Sequence, residues 1–156
     1  QLKNISIQTI NELEVDKDIN WEISVLILLD DFIGTGNTAK EAIDYLMTDK
    51  GVNPKKIIVL SIASMETGIK LISNLGVSNY TSMELKKGIT DYYTSEEAQS
   101  KLQVMNEIEE KIKIHRNEKF GYGKSEGLVK LIKTPNNTFP VYWKEKGRRI
   151  APFPRF

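Results

Sequence analysis

The sequence predicts an α/β fold: a mostly parallel, Rossmann-like sheet with flanking helices, followed by a loop-rich C-terminal part. Three observations predict it. Short apolar runs rich in β-branched residues alternate with stretches of helical periodicity, the connections between them are short, and glycines stand at the helix ends. Strand–helix–strand order with such connections implies right-handed crossovers. Ligands of sheets built this way lie beyond the carboxyl ends of the strands.

Residues 5–10 (ISIQTI) read as a short opening strand, and residues 22–29 as a buried strand that ends at Asp30-Asp31. Residues 38–47 read as a helix, because Ala39, Ala42, Ile43, Leu46 and Met47 recur on one face; Gly51 stops it. Residues 56–63 (KIIVLSIA) form the second buried strand. Ser64 is placed to cap a helix that runs to Leu75, where Gly76 supplies a left-handed stop. Residues 79–85 read as a third, more polar strand. Thr94-Ser95-Glu96-Glu97 is a capping box. It opens the longest helix, to about Arg116, with Ala98, Leu102, Met105, Ile108 and Ile112 on one face. Residues 127–133 read as a fourth strand, and the rest as aromatic loops.

With 156 residues the chain makes a single domain, burying roughly two-thirds of its unfolded surface. The longest apolar run, residues 25–29, falls far short of the ~20 residues that span a bilayer, so no membrane partner is expected. The absence of cysteine excludes disulfides, thiol nucleophiles and cysteine-based zinc sites. A lone histidine, His115, argues against a histidine-rich metal cluster and reads as a solvated surface residue. A cytoplasmic setting is expected, and the sequon at Asn136-Asn137-Thr138 is discounted accordingly. The net charge of +1 supplies no global field toward nucleic acid. From residue 144 onward the balance turns basic, with Lys144, Lys146, Arg148, Arg149 and Arg155 against Glu145. The interleaved Tyr142, Trp143, Phe153 and Phe156 leave two readings open: a solvated tail, or a patch for phosphates, nucleic acid or an acidic partner chain.

The chemistry concentrates in LLDDFIGTGNT, residues 28–38. Gly34 and Gly36 let a ligand approach the backbone, the first N–H groups of the following helix have no intrahelical partner, and the helix dipole favours an anion. Thr35 and Thr38 add hydroxyls, so Gly34, Thr35, Gly36, Asn37 and Thr38 form a candidate phosphate cradle. No lysine follows the second glycine, which excludes the nucleoside-triphosphate P-loop, and the Gly-x-Gly-x-x-Gly pattern of dinucleotide folds is absent. Asp30 and Asp31 would repel phosphate. They suit sugar hydroxyls or a hard cation such as Mg²⁺. A diol and a phosphate a few ångströms apart describe a ribose 5-phosphate. Accessory candidates are Ser61 and Ser64, as ligand contacts or caps, Tyr122 as a stacking ring, and Lys124 in the Gly-rich GYGKSEG stretch as part of a second anion nest. Asn136 and Asn137 read as turn formers before ligand amides. A receiver-like phosphoacceptor domain also ends a strand in paired acids, but has no use for the glycines of this loop.

VLILLDDFIGTGNT (residues 25–38) resembles the ribose-phosphate signature of type I phosphoribosyltransferases. Together with FGYGKSEGLV, TPNNTFPVYW and PFPRF it looks like the phosphoribosyltransferase-like domains of bacterial conflict and anti-phage loci, some beside retron reverse transcriptases. The resemblance implies that Asp30 and Asp31 hold the ribose 2′- and 3′-hydroxyls of phosphoribosyl pyrophosphate (PRPP) or a nucleotide. It implies that residues 34–38 bind the 5-phosphate, and that Mg²⁺ comes with the pyrophosphate and is held through the ligand, with no direct metal site on the chain unless Asp30 or Asp31 serves as one. It also implies one domain over residues 1–156, lacking the N-terminal part of the usual core, with residues 120–156 as a family-specific extension. Three departures stand out, one being that no base-recognition element is identifiable. Gly34 replaces the aspartate that purine-salvage enzymes use on the base, and only 29 residues precede Asp30, too few for the usual pyrophosphate loop. Another segment or a partner protein would have to supply that loop. Enzyme and non-catalytic sensing or partner-binding module both remain open.

Overall fold

The computed structural model describes residue 22 and residues 24–155. The expected strand at residues 5–10 lies outside them. Within them the order is β1 (Leu26–Ile33), α1 (Asn37–Thr48), β2 (Ile57–Met65), α2 (Glu66–Asn74), β3 (Ser78–Leu85) and α3 (Ser95–Lys111). The strands form one parallel sheet in the order β1-β2-β3, with Leu28 opposite Val59 and Val59 opposite Asn79. This is the α/β architecture expected from the alternation of periods.

Because strand order follows chain order and the crossovers share one hand, α1 and α2 lie on the same face of the sheet. Ile43 and Leu46 of α1 and Ile72 of α2 pack there on Leu28, Ile57 and Val59 in one buried cluster. On the opposite face the alternating residues Ile27, Leu29, Ile62 and Tyr80 are 49%, 69%, 57% and 62% exposed. Parallel sheets are ordinarily covered on both faces. Among the described residues this one is covered on one.

A second cluster joins α3 to the C-terminal part. Ile89, Ala98 and Phe139 form its centre, and Leu102, Met105, Phe120 and Tyr142 pack around them. The capping box opens α3 as expected: Thr94 Oγ1 accepts from the Glu97 N–H, and the Thr94 N–H donates to the Glu97 carboxylate at 3.1 Å. Thr94→Ala is expected to cost about 1 kcal/mol, read as a lower urea midpoint. Near the other end of α3, Glu109 is fully buried and accepts from the Phe120 N–H at 3.0 Å, while its Oε1 has no hydrogen-bond partner among the described residues.

Four expectations are corrected. β1 does not end at the acid pair but runs through it to Ile33, because Asp30 pairs with Ser61 and Phe32 with Ala63 in the ladder. Ser64 does not cap α2. It is a buried residue of β2 whose Oγ lies 2.7 Å from Ser61 Oγ, and Met65 is the N-cap. Helix α3 stops at Lys111 rather than near Arg116, the chain turning through Lys113 at φ 56°. Residues 127–133 are not a strand. Among the described residues of this run only Gly127 makes a bridge, to Thr138, and Ile132 is wholly exposed.

Candidate functional site

Two local structures meet at the site. The first is the end of β1 with the turn into α1. Asp30 and Asp31 are both exposed side chains, and the Phe32 N–H donates to Asp30 Oδ1 at 3.5 Å. Partial burial, then the neighbouring Asp31 charge, raises the Asp30 pKa above its ordinary value, with the Phe32 N–H working against the rise. In the turn, Gly36 is the N-cap of α1 at φ 84°, a conformation only glycine adopts without strain. Its carbonyl accepts from the Lys40 N–H at 2.8 Å.

The N-terminus of α1 differs from that of α3 in two ways. No side chain caps it, and no acid stands in its first turn. Thr35 Oγ1 accepts from the Asn37 N–H at a long 3.5 Å. Apart from this contact no side chain takes up the first N–H groups of α1 among the described residues, and those groups have no intrahelical partner.

The second structure is the C-terminal part, which closes over this turn. Asn137 is buried and tied on three sides. Its Nδ2 donates to Tyr122 O at 3.3 Å and Ser125 Oγ at 3.2 Å, and its carbonyl accepts from the Gly127 N–H at 2.9 Å. Its amide group lies flat on Gly34, where a Cβ would come within 2.3 Å of Asn137 Cγ. The glycine that departs from the salvage pattern is thereby explained: the space an acidic side chain would need is filled by Asn137. Tyr122 is held by its own N–H, which donates to Asn136 O at 2.9 Å.

Between the two lies a cavity of ≈ 670 Å³, bordered by Asp30, Asp31 and residues 34–38 on one side and by Tyr122, residues 133–137 and Arg155 on the other. The acid pair, the turn and Tyr122 therefore share one space. Ser61 stands beside Asp30 in the ladder but is not part of the cavity wall, its hydroxyl being engaged with Ser64. Lys124 is exposed and likewise lies off the wall. His115 is exposed, as expected.

Three charged wall residues were not singled out as site residues from the sequence: Glu41, Lys133 and Arg155. Arg155 had a signal, the basic and aromatic C-terminal run. That run is largely folded back: Lys144 pairs with Glu118 at 2.7 Å, Arg149 donates to the carbonyls of Lys144 and Val141, and Arg155 stacks on Trp143 at 5.6 Å.

Among the described residues no group of three or more His, Asp or Glu could hold a metal, and no helix is long and apolar enough to cross a membrane. An Mg²⁺ ion would take one or two ligands from the acid pair and the rest from water and phosphate, which is how this ion usually sits with phosphorylated ligands. No curated protein and no solved structure matches the chain. A family model does, over residues 1–155, and the chain belongs to that family, PRTase-CE, of phosphoribosyltransferase-like domains.

Proposed function

We propose that this domain binds a ligand built on ribose 5-phosphate, either PRPP or a nucleotide, and acts at its C1′ as an effector of bacterial defence. The observation that carries the reading is the shared cavity, onto which two carboxylates and an uncapped helix N-terminus both open. Asp30 and Asp31 accept hydrogen bonds from the ribose hydroxyls, and the N–H groups and hydroxyls of residues 35–38 take the 5-phosphate. Mg²⁺ enters with the ligand when the ligand carries a pyrophosphate. In the reaction the C1′ bond to pyrophosphate or base breaks and a bond to water or an acceptor forms. Positioning and electrostatic support of the cationic sugar lower its barrier. Membership of a phosphoribosyltransferase-like family supports the assignment.

A second reading, a non-catalytic nucleotide sensor or partner-binding module, is favoured by one observation. Asn137 fills the space beside Gly34, so no acid can work on a base from that position. Titration calorimetry with ribose 5-phosphate, PRPP, AMP and NAD in Mg²⁺ buffer, with mass spectrometry of the products, tests both. Asp30→Asn and Asp31→Asn are each expected to weaken binding ~10–100-fold, the worth of a charge-assisted hydrogen bond of about 1.5–3 kcal/mol. Turnover lost with the acids supports the enzyme, and saturable binding without turnover supports the sensor. If no phosphorylated ribose binds, both readings fall.

A further inference from the structure

Both glycines of the β1–α1 turn have protein where a Cβ would stand. At Gly34 it is Asn137, and at Gly36 it is Gly68 of α2, whose Cα would lie 3.1 Å from the added carbon. The approach is reciprocal. A Cβ on Gly68 would come within 2.6 Å of the Gly34 carbonyl oxygen, 2.7 Å of Ile33 Cγ2 and 3.3 Å of the Gly36 nitrogen. Gly68 is a buried residue in the first turn of α2 and does not have a positive φ. Its own backbone conformation therefore does not call for glycine, and alanine is the better helix former. The neighbouring turn calls for it.

The Gly34 oxygen thus lies against α2. No peptide bond is cis among the described residues, and in a trans peptide the C=O and N–H point in opposite directions. The N–H of the same peptide, that of Thr35, therefore points away from α2. Thr35 borders the cavity, and its N–H makes no hydrogen bond among the described residues. A peptide turned over would present its oxygen there instead, and that oxygen would repel an anion where an N–H would hold it. Helix α2 has little room to retreat from a larger residue at 68. Ile72, one turn on, is wholly buried in the cluster with Ile43 and Val59. The turn is the part that yields.

We infer that Gly68 is a positioning residue for phosphate binding at the turn. Having no side chain, it lets the Gly34 carbonyl settle on α2, and this sets the Thr35 N–H as a donor to the phosphate. Gly68 itself touches no ligand and acts through the Gly34–Thr35 peptide. The inference rests on the ribose-phosphate reading for the identity of the anion; the orientation of the peptide does not depend on that reading.

The test is ¹⁵N–¹H NMR of the full chain, parent and Gly68→Ala, titrated with ribose 5-phosphate and separately with inorganic phosphate. Unchanged signals from α3 report that the variant is folded. In the parent the Thr35 amide proton is expected to move downfield with both probes, as an N–H does on donating to phosphate. Gly68→Ala should lose about ten-fold or more in affinity for each probe, with the Thr35 shift abolished. A Thr35 amide that stays put while ribose 5-phosphate binds the parent would overturn the inference, and this arm needs no variant to fold. Parent affinity in a folded Gly68→Ala would overturn it too, and either result leaves the ribose-phosphate reading standing. Phosphate that shifts Thr35 in the parent but not in the variant, with ribose 5-phosphate binding no tighter than phosphate, would uphold the role of Gly68 and overturn that reading. If neither probe binds, both fall.

Discussion

Gly34→Asp is expected to destabilise the domain by at least about 3 kcal/mol, and Asn137→Ala in the same chain to restore most of the loss. A Cβ at position 34 would lie 2.3 Å from Asn137 Cγ and Nδ2, well inside contact distance. Asn137 cannot swing aside cheaply. Its Nδ2 is bonded to Tyr122 O and Ser125 Oγ, and its carbonyl accepts from both Ser125 Oγ and the Gly127 N–H. Moving it would strip a buried polar cluster of its partners. Alanine at 137 removes the three colliding atoms, so the two substitutions should be strongly coupled, by about 2 kcal/mol or more. Urea unfolding of the two single variants and the double variant measures the coupling. Additive losses would show that the two residues do not compete for one space.

Glu109 offers the second large effect, and here two substitutions should move stability in opposite directions. Glu109→Ala leaves the Phe120 N–H without an acceptor and is expected to cost about 1–3 kcal/mol. Glu109→Gln keeps the acceptor and removes a buried charge, so it should be at least as stable as the parent at neutral pH. Burial raises the Glu109 pKa from its ordinary 4.5, against the smaller opposing effects of the Phe120 N–H and Lys119. The folded chain therefore keeps a proton that the unfolded chain has already released. Stability from protonated Glu109 is complete below 4.5 and is lost as pH rises through the folded-state value. Urea midpoints of the parent and Glu109→Gln across acidic to neutral pH should diverge over that window and run parallel above it. Parallel curves throughout would mean that Glu109 does not titrate differently on folding.

Local chemistry was legible in the sequence, and its closure was not. The periodicity of Ala39, Ile43 and Leu46, the β-branched run at residues 57–59 and the Thr94 capping box each depend on neighbours in the chain, and each appears in the fold. The acid pair and the glycine turn were readable for the same reason. Element ends failed where tertiary partners decide them. The ladder to β2 carries β1 through two aspartates, and the run at residues 127–133 pairs only through Gly127, with Thr138, among the described residues. The far wall of the cavity, from Tyr122 through Lys133 and Asn137 to Arg155, is assembled from segments that no spacing rule connects. Tyr122 and Arg155 each carried a separate hint in the sequence, and Gly34 marked an absence whose cause lies at Asn137.

Ile27, Leu29, Ile62 and Tyr80 come into one plane only when the sheet is formed. Anything that covers them therefore has affinity for the native chain and little for the unfolded one. By mass action such a companion adds stability that grows with the logarithm of its free concentration, about 1.4 kcal/mol per decade above its Kd. Were a partner to cover this face, the melting temperature of the chain alone would be a floor, and stability in company would depend on how much of that partner is present.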